Sequence, residues 1–596
     1  MTVETLPSRF FHNVRRLGSR TSHYYNSGGQ WFPVGWSTFG DLVSAIASGL
    51  IELGHAQGDA LAVLSSTRRE WIYADLANQC AGGVSVGVYP SLTAEQVSYV
   101  VDHAECKFCV VENRDQLHKV LSVEASMPRL QTLIVIDPAG VDLASHPDRV
   151  VSLADVIERG RAADHDVAAR VANIELEAAQ LFVYTSGTTG PPKGAMLTHG
   201  NIAAAMRCAD IVPVADSDVG FSFLPLAHVA QRVADYRGLW LGVGSGGYFA
   251  RGLDTIAEDL ADAGPTVLVS VPRIFEKIYA AIHDQVSQGS PATQRVFRWA
   301  CGVGSRVAAR RRQGRPVGRL LEAQNRVARR LVFDKLRARL GGRARLFYTG
   351  GAPIAKEILQ FFEAADINIL EGWGMTETFG VGTLNLPGVG NSKIGSIGRP
   401  VPGVDIKLDD DGEMLIKGAS VFSGYYKQED VTRQSFTSDG YFRTGDIATV
   451  DEDGFYFIID RKKDLIITAG GKNIGPQHVE NLLKSDPRVS QCVLIGDRRA
   501  YCVALISVDD ELRRSVSEAD LVAQLQQIVA DKNRALAPYE QIKKFRLLPR
   551  DLSQEAGELT PTLKIKRKVI VESYADLIEE MYSEVAVAKS ARPRAN

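Results

Sequence analysis

Residues 39–135 alternate helical apolar stripes with short apolar strands, and that alternation restricts this stretch to a parallel, doubly wound sheet. "LVSAIASGLIELG" carries its stripe up to Gly54, and "ALAVLS" follows as a buried strand. A helix in "REWIYADLANQCAGG", the strand "VSVGVYP", a helix in "TAEQVSYVVDHA" and the strand "FCVVE" come next. Strands covered on both faces by crossover helices have no polar side, so they read as unbroken apolar runs. A second block of this kind runs from about 180 to 375, with strands at "LFVYT", "GFSFLP", "TVLVSV", "ARLFYTG" and "INILEG".

From about 395 the texture changes. "GSIGRPVPGVDIKLDDDGEMLIKGASVFSGYY" and "GYFRTGDIATVDEDGFYFIID" are short strands broken by Asp-Gly turns, which is the pattern of antiparallel hairpins. The charge cluster "DRKKD" at 460–464 separates this part from a final α+β segment. A charge run is ordinarily a solvated loop, but here the pattern changes class across it. The expected organisation is a large domain over 1–460, built of two doubly wound βαβ-type sheets and a distorted β-barrel, and a small α+β domain over 461–596.

A chain of 596 residues exceeds one hydrophobic core, in line with two domains. The net charge of −2 gives no whole-molecule pull toward nucleic acid or anionic membrane. Seven cysteines are scattered without metal-ligand spacing, and Cys106-x-x-Cys109 has no matching pair, so both are expected as small core residues in a reducing cytosol. The first twenty residues hold no apolar stretch of signal-peptide length, and no apolar run reaches spanning length.

"YTSGTTGPPKG" (184–194) runs from a strand end into a loop of small, hydroxyl and glycine residues with one lysine. A nucleotide-triphosphatase loop needs Gly-Lys-Ser/Thr; here Pro192 precedes Lys193 and Gly194 follows it, so that motif is excluded. The hydroxyls of Thr185, Ser186, Thr188 and Thr189, the backbone at Gly187 and Gly190, and the Lys193 ammonium can still wrap a polyphosphate.

In its full form, continuing into "AMLTHGN", this loop resembles the phosphate loop of the adenylate-forming enzymes, the family of acyl-CoA synthetases, luciferases and adenylation domains. Further segments resemble the family in order: "LFYTGGAPI" (346–354) its adenine-pocket segment, "EGWGMTET" (371–378) its adenine and magnesium segment, and "YFRTGDI" (441–447) its ribose segment. "DRKKDLIITAGGKNIGPQHVE" (460–480) is similar to the interdomain hinge and following loop, and "LTPTLKIKRKVI" (559–570) to the catalytic-lysine segment. The phrases "FLPLAHVAQRV", "PTVLVSVPRIFEKI" and "VFDKLRARLGGRARLFYTGGAPI" are closest to the long-chain acyl-CoA synthetases. Thr562-Leu563-Lys564 stands where the short-chain branch has Ser-Gly-Lys.

The resemblance implies a two-step reaction: fatty acid and ATP form an acyl-adenylate and pyrophosphate, and the CoA thiol then displaces AMP. It implies Glu377 as the Mg²⁺ ligand, Thr376 on the α-phosphate, Trp373 stacked on adenine, and Gly351 and Ala352 leaving room for the base edge. Asp446 is to accept the ribose hydroxyls, with Arg461 adding a donor. Lys564 is the expected catalytic lysine, with Lys566 in the same basic strip as its competitor. His228 falls near the acyl end, Lys463 at the hinge, and Gly470, Gly471 and Lys472 along the pantetheine tunnel. The alternative outcome is a fatty acyl-AMP ligase that passes the acyl group to a carrier protein.

Residues 306–345 hold many arginines against only Glu322 and Asp334, interleaved with apolar residues at helical spacing. This pattern fits a surface meeting anionic lipid, or an amphipathic helical pair with a solvated basic face. Without aromatic platforms among the basic residues, nucleic acid is not an expected partner. The expected location is the cytoplasm or the inner face of a membrane, and a homodimer stays open as an assembly.

Overall fold

The computed structural model describes residues 4–590 except 148, 164, 186–190, 243–245, 253 and 561–563, with side chains described as far as Ser583. The largest sheet has eight strands, in the order Gly424–Tyr425, Lys193–Thr198, Ala179–Thr185, Val84–Val88, Ala60–Leu64, Cys106–Val111, Thr132–Val135 and Val150–Ser152. Pairing is parallel from Ala179–Thr185 onward and antiparallel at the other edge. Ala60–Leu64 and Val84–Val88 are buried at every position, the state their unbroken apolar runs require. Helix Trp36–Glu52 lies so close to helix Leu153–Ala163 that a Cβ at Gly160 would fall 1.8 Å from the Ala45 carbonyl oxygen.

The second block is divided differently from the expectation. "LFVYT" belongs to the first sheet as Ala179–Thr185, and "GFSFLP" gives Gly220–Ser222 to a separate four-stranded sheet with Gly247–Phe249 and the N-terminal hairpin Thr21–Ser27/Gln30–Gly35. Only Val267–Ser270, Leu346–Thr349 and Ile369–Trp373 pair in parallel as a second sheet, extended antiparallel by Thr383–Leu384 and Arg399–Pro400. Periodicity marks a strand and its burial but not which neighbour it pairs with, which is why the partition was illegible.

The hairpin region forms a four-stranded antiparallel sheet of Val404–Leu408, Glu413–Gly418, Phe442–Val450 and Tyr456–Arg461. Gly412 (φ +83°) and Gly454 (φ +78°) take the left-handed turn positions that the Asp-Gly pairs signal. The smaller C-terminal domain packs helices Pro476–Lys484, Glu518–Asn533 and Ala575–Ser590 on the three-stranded sheet Gln491–Ile495, Cys502–Ser507 and Ile542–Leu547, with cores of its own.

All seven cysteines are free and all but Cys301 are buried. A register shift between Cys106 and Phe108 brings Cys106 to the same face of the strand as Cys109, and both are buried as small side chains in the apolar cluster with Leu64, Val111 and Leu133. Among the described residues no helix is long and apolar enough to cross a membrane.

Candidate active site

Thr185 and Lys193 sit opposite each other in the antiparallel pair Ala179–Thr185/Lys193–Thr198, so they form the base of the hydroxyl- and glycine-rich loop. Ser186, Gly187, Thr188, Thr189 and Gly190 lie outside the described residues. The Tyr99 hydroxyl donates to the Pro192 carbonyl (3.0 Å) and anchors the loop's far side. Strand Gly424–Tyr425 adds to the edge of Lys193–Thr198, and this pairing brings in Tyr425. The Lys193 ammonium stands 5.1 Å from the Tyr425 ring centroid, and the Tyr425 hydroxyl donates to Glu377 Oε1 (2.7 Å). Glu377 is buried in the short turn Thr376–Thr378, whose backbone is tied down by Phe422 N–H donating to the Glu377 carbonyl (2.7 Å).

Asp446 and Arg461 are cross-strand partners in the antiparallel sheet, 15 residues apart in sequence but in register. Arg461 Nε lies 2.8 Å from Asp446 Oδ1, and Trp373 Nε1 donates to Asp446 Oδ2 (2.9 Å). A carboxylate has about four acceptor positions, so two remain for hydroxyls of a bound sugar. The six-membered ring of Trp373 packs against Gly382, where a Cβ would come within 2.6 Å of it. Gly351 and Ala352 form the exposed loop after Leu346–Thr349, and Gly351 at φ +79° needs glycine.

Lys564 arrives from the C-terminal domain. Its backbone is fixed by Thr560 N–H donating to its carbonyl (2.8 Å) and by its own N–H donating to Thr560 Oγ1 (3.0 Å). The residue is half-buried and its ammonium end is withdrawn from solvent. Burial, then the positive charge of Arg461, lowers its pKa to about 8, while Asp446 and Glu377 pull it upward. The competing Lys566 stands at the N-cap position of helix Arg567–Ser573 with no capping bond from its side chain, and Arg567 is spent on Glu480 (2.7 Å) and the Leu494 carbonyl.

His228 caps helix Val229–Leu241, its Nδ1 accepting from Ala230 N–H (3.1 Å). Burial, reinforced by the Lys564 charge, pushes its pKa down to about 3, so the ring is neutral with its proton on Nε2. That helix is held by a fully buried ion pair, Arg232 Nη2 to Asp75 Oδ1 at 3.1 Å, with the Tyr236 hydroxyl donating to Asp75 Oδ2 (2.6 Å).

Lys193, Arg461, Lys463 and Lys564 thus face Glu377 and Asp446, and each interacts electrostatically with others of the group. Even with Asp464 beside Lys463, four cations around the buried carboxylates of Glu377 and Asp446 leave a surplus of positive charge, a setting that favours a polyanion. Glu377 has one carboxylate oxygen held by Tyr425 and the other available to a hard cation carried by that polyanion. The acidic cluster Asp409, Asp411 and Glu413 is a separate feature, partnered by Arg443 and Lys462.

A family model described as "AMP-binding enzyme" matches residues 10–426, and one described as "AMP-binding enzyme C-terminal domain" matches 463–586. The chain belongs to the AMP-binding enzyme family. It is 36% identical over 575 residues to a protein of Mycobacterium bovis named long-chain-fatty-acid–CoA ligase FadD15, covering 93% of each chain. It is 31% identical to long-chain-fatty-acid–CoA ligase ACSBG2 of Xenopus laevis, covering 97% of this chain and 84% of the other. Among solved structures, the adenylation domain of a Mycobacterium chelonae carboxylate reductase superposes with a TM-score of 0.80 at 22% identity, covering 98% of this chain and 92% of that one.

In this AMP-binding enzyme the C-terminal domain is held against helix Pro272–Ser287. Arg273 donates from Nη1 to the Ser490 carbonyl (2.9 Å) and from Nη2 to Ser490 Oγ (2.8 Å), and Lys484 Nζ lies 3.3 Å from Glu276 Oε1. Charged hydrogen bonds of this kind contribute about 1.5–3 kcal/mol, and they hold the domain that carries Lys564. Arg273→Ala is therefore expected to slow ATP–pyrophosphate exchange about 10-fold or more, while thioester formation from supplied acyl-adenylate is spared. Measuring the two half-reactions separately checks this; equal losses would assign Arg273 to folding alone.

The turn bearing Gly470, Gly471 (φ +71°) and Lys472 joins Ile466–Ile467 to Asn473–Ile474 and is exposed; it contributes no side chain to the Lys564 cluster. Two residues at the site had no role assigned from sequence. Tyr425 becomes important only through strand pairing, which its local "GYY" does not reveal. Glu371 accepts the Gly395 N–H (2.7 Å), and burial raises its pKa to about 8. Its one legible signal was an acid inside the apolar run "INILEG".

Proposed function

We propose that this enzyme activates long-chain fatty acids with ATP, forming an acyl-adenylate and then acyl-CoA with release of AMP and pyrophosphate. The observation that carries the reading is the convergence of Lys564, from the C-terminal domain, on Asp446, Glu377 and Arg461 of the N-terminal domain. Support for the substrate class comes from the two named ligases aligned over most of their length.

A carboxylate is a weak nucleophile toward an anionic phosphate because like charges must approach. Lys564 and Arg461 offset that repulsion as charge develops at the α-phosphate, and Lys193 with the 185–193 loop holds the outer phosphates. Thr376 donates to the α-phosphate. Asp446 accepts from the ribose hydroxyls, while Trp373 and the Gly351–Ala352 loop flank the base. Glu377 would hold Mg²⁺, which supplies charge neutralisation to the polyphosphate. Neutral His228, with its Nε2–H, lies beside Lys564 at the acyl end without adding charge. Domain rotation about Lys463 would withdraw Lys564 and bring the Gly470–Lys472 turn to the thiol's path, since a backbone without side chains admits a thin ligand arm.

Each methylene transferred from water to an apolar site contributes about 0.8 kcal/mol, or roughly fourfold in affinity. AMP release should therefore rise steeply from octanoate toward palmitate when CoA is present. The test measures AMP across a chain-length series with CoA, with a phosphopantetheinylated carrier protein, or with neither. Turnover only with the carrier would replace CoA as acceptor, and no nucleotide use with any aliphatic acid would overturn the proposal.

A further inference from the structure

The arginine-rich segment 306–345 separates in three dimensions into two sets of residues. The inward set is neutralised or packed. Asp366 is approached by Arg311 (3.2 Å), Arg329 (3.5 Å) and Arg337 (3.9 Å), and Arg312 pairs with Glu363. Phe333, Leu336 and Leu340 are buried in the core around Phe275 and Phe362. The outward set is different. Among the described residues, Arg315, Arg319, Arg326, Arg330 and Lys335 are exposed and make no ion pair.

Between those cations lies a line of apolar side chains that packing leaves at least half exposed. Leu320 is 75% exposed, and Val327 and Leu331 are each 50% exposed. They stand at i, i+7 and i+11 along Arg319–Ala328 and the π-turn Arg329–Phe333, which places them on one face. At 1.5 Å per residue the line is about 16 Å long. A helix with only a solvated basic face would turn its apolar residues inward, and here the same helix has an inward apolar face and a second, outward one.

We propose that this outward face docks on an anionic lipid surface, with Leu320, Val327 and Leu331 entering the headgroup–acyl boundary and the flanking cations meeting lipid phosphates. An apolar line bordered by arginines is the composition that interfacial helices use. A second copy of the chain is a poorer fit, because a two-fold contact would set these arginines against each other. The purpose of such docking rests on the fatty-acid activity proposed above, since the substrate partitions into membranes, but the binding is measured independently of that activity.

The experiment is vesicle sedimentation of the full chain with pure phosphatidylcholine and with phosphatidylglycerol-containing vesicles, at low and high salt. Two variants accompany it: Leu320→Ser/Val327→Ser/Leu331→Ser and Arg319→Gln/Arg326→Gln/Arg330→Gln. Binding should require the anionic lipid and fall with salt. The arginine variant should lose about 100-fold in partitioning, and the apolar variant should also release the protein. Both variants should keep wild-type AMP release with octanoate, a soluble acid, which shows that they fold. No binding by wild-type protein, equal binding to neutral vesicles, or binding unchanged in both variants would overturn the proposal. So would a dimer in light scattering that the apolar variant dissolves. Vesicle binding by a protein that activates no fatty acid would instead leave this surface standing and sink the proposed activity.

Discussion

Lys564→Ala is expected to lower ATP–pyrophosphate exchange about 10²–10³-fold, the scale measured when one preorganised group opposing transition-state charge is removed. Thioester formation from supplied acyl-adenylate should stay close to wild type, because under the proposed function the ammonium would serve only the first transfer. Lys564→Arg should not restore exchange, since a planar, always-charged guanidinium is a poor substitute for a compact ammonium that feels both Asp446 and Glu377. The pH dependence supplies a second test. Only the protonated lysine can oppose the developing negative charge. Because burial and Arg461 bring its pKa down to about 8 in the free enzyme, kcat/KM for adenylation should decline as pH rises through that value. Bound nucleotide adds negative charge beside the ammonium and raises its pKa, so the same limb in kcat should lie at higher pH. Equal losses in the two half-reactions of Lys564→Ala would show that the lysine supports the fold and not the chemistry.

Local chemistry made part of this site readable. Strand and helix periods identified the parallel sheets, and Asp-Gly turns identified the hairpin sheet, because each rests on interactions within a few residues. The sheet exchange by "LFVYT" and "GFSFLP" was hidden because pairing partners are chosen by long-range packing. The same division holds at the site. Trp373 was expected as a base platform, and its indole N–H donation to Asp446 is a contact between two segments that resemble different parts of the family pattern. Tyr425 bridges Lys193 and Glu377 only because Gly424–Tyr425 pairs with an edge strand more than 220 residues earlier. In 306–345 the sequence showed apolar residues at helical spacing but not their division between core and solvent. That division follows from what the rest of the chain places against each face.

Lys463→Pro is expected to leave adenylation nearly intact and to block thioester formation. The chain is held firmly just before this residue: Arg461 pairs with Asp446, and Lys462 reaches Glu413 (3.0 Å) while its N–H donates to the Gly445 carbonyl (2.8 Å). Just after it, the N–H groups of Asp464 and Leu465 donate to the Arg461 carbonyl (3.0 and 3.1 Å). In the proposed two-step cycle, a rotation that releases Arg273 from Ser490 and withdraws Lys564 would break the Asp464 and Leu465 bonds that span residue 463 and would be absorbed there as φ and ψ changes. Proline fixes its own φ near −65° and restricts the preceding residue, which stiffens the pivot from both sides. The substitution also removes an ammonium whose charge reaches Asp446 and Lys193, so a loss of rate could arise from electrostatics alone. Lys463→Ala separates the causes, because it removes the same charge and keeps the backbone free. Thioester formation should survive in the alanine variant and fail in the proline variant. Full turnover with proline at 463 would place the pivot elsewhere in the linker, and equal impairment in both variants would assign the effect to the lost charge.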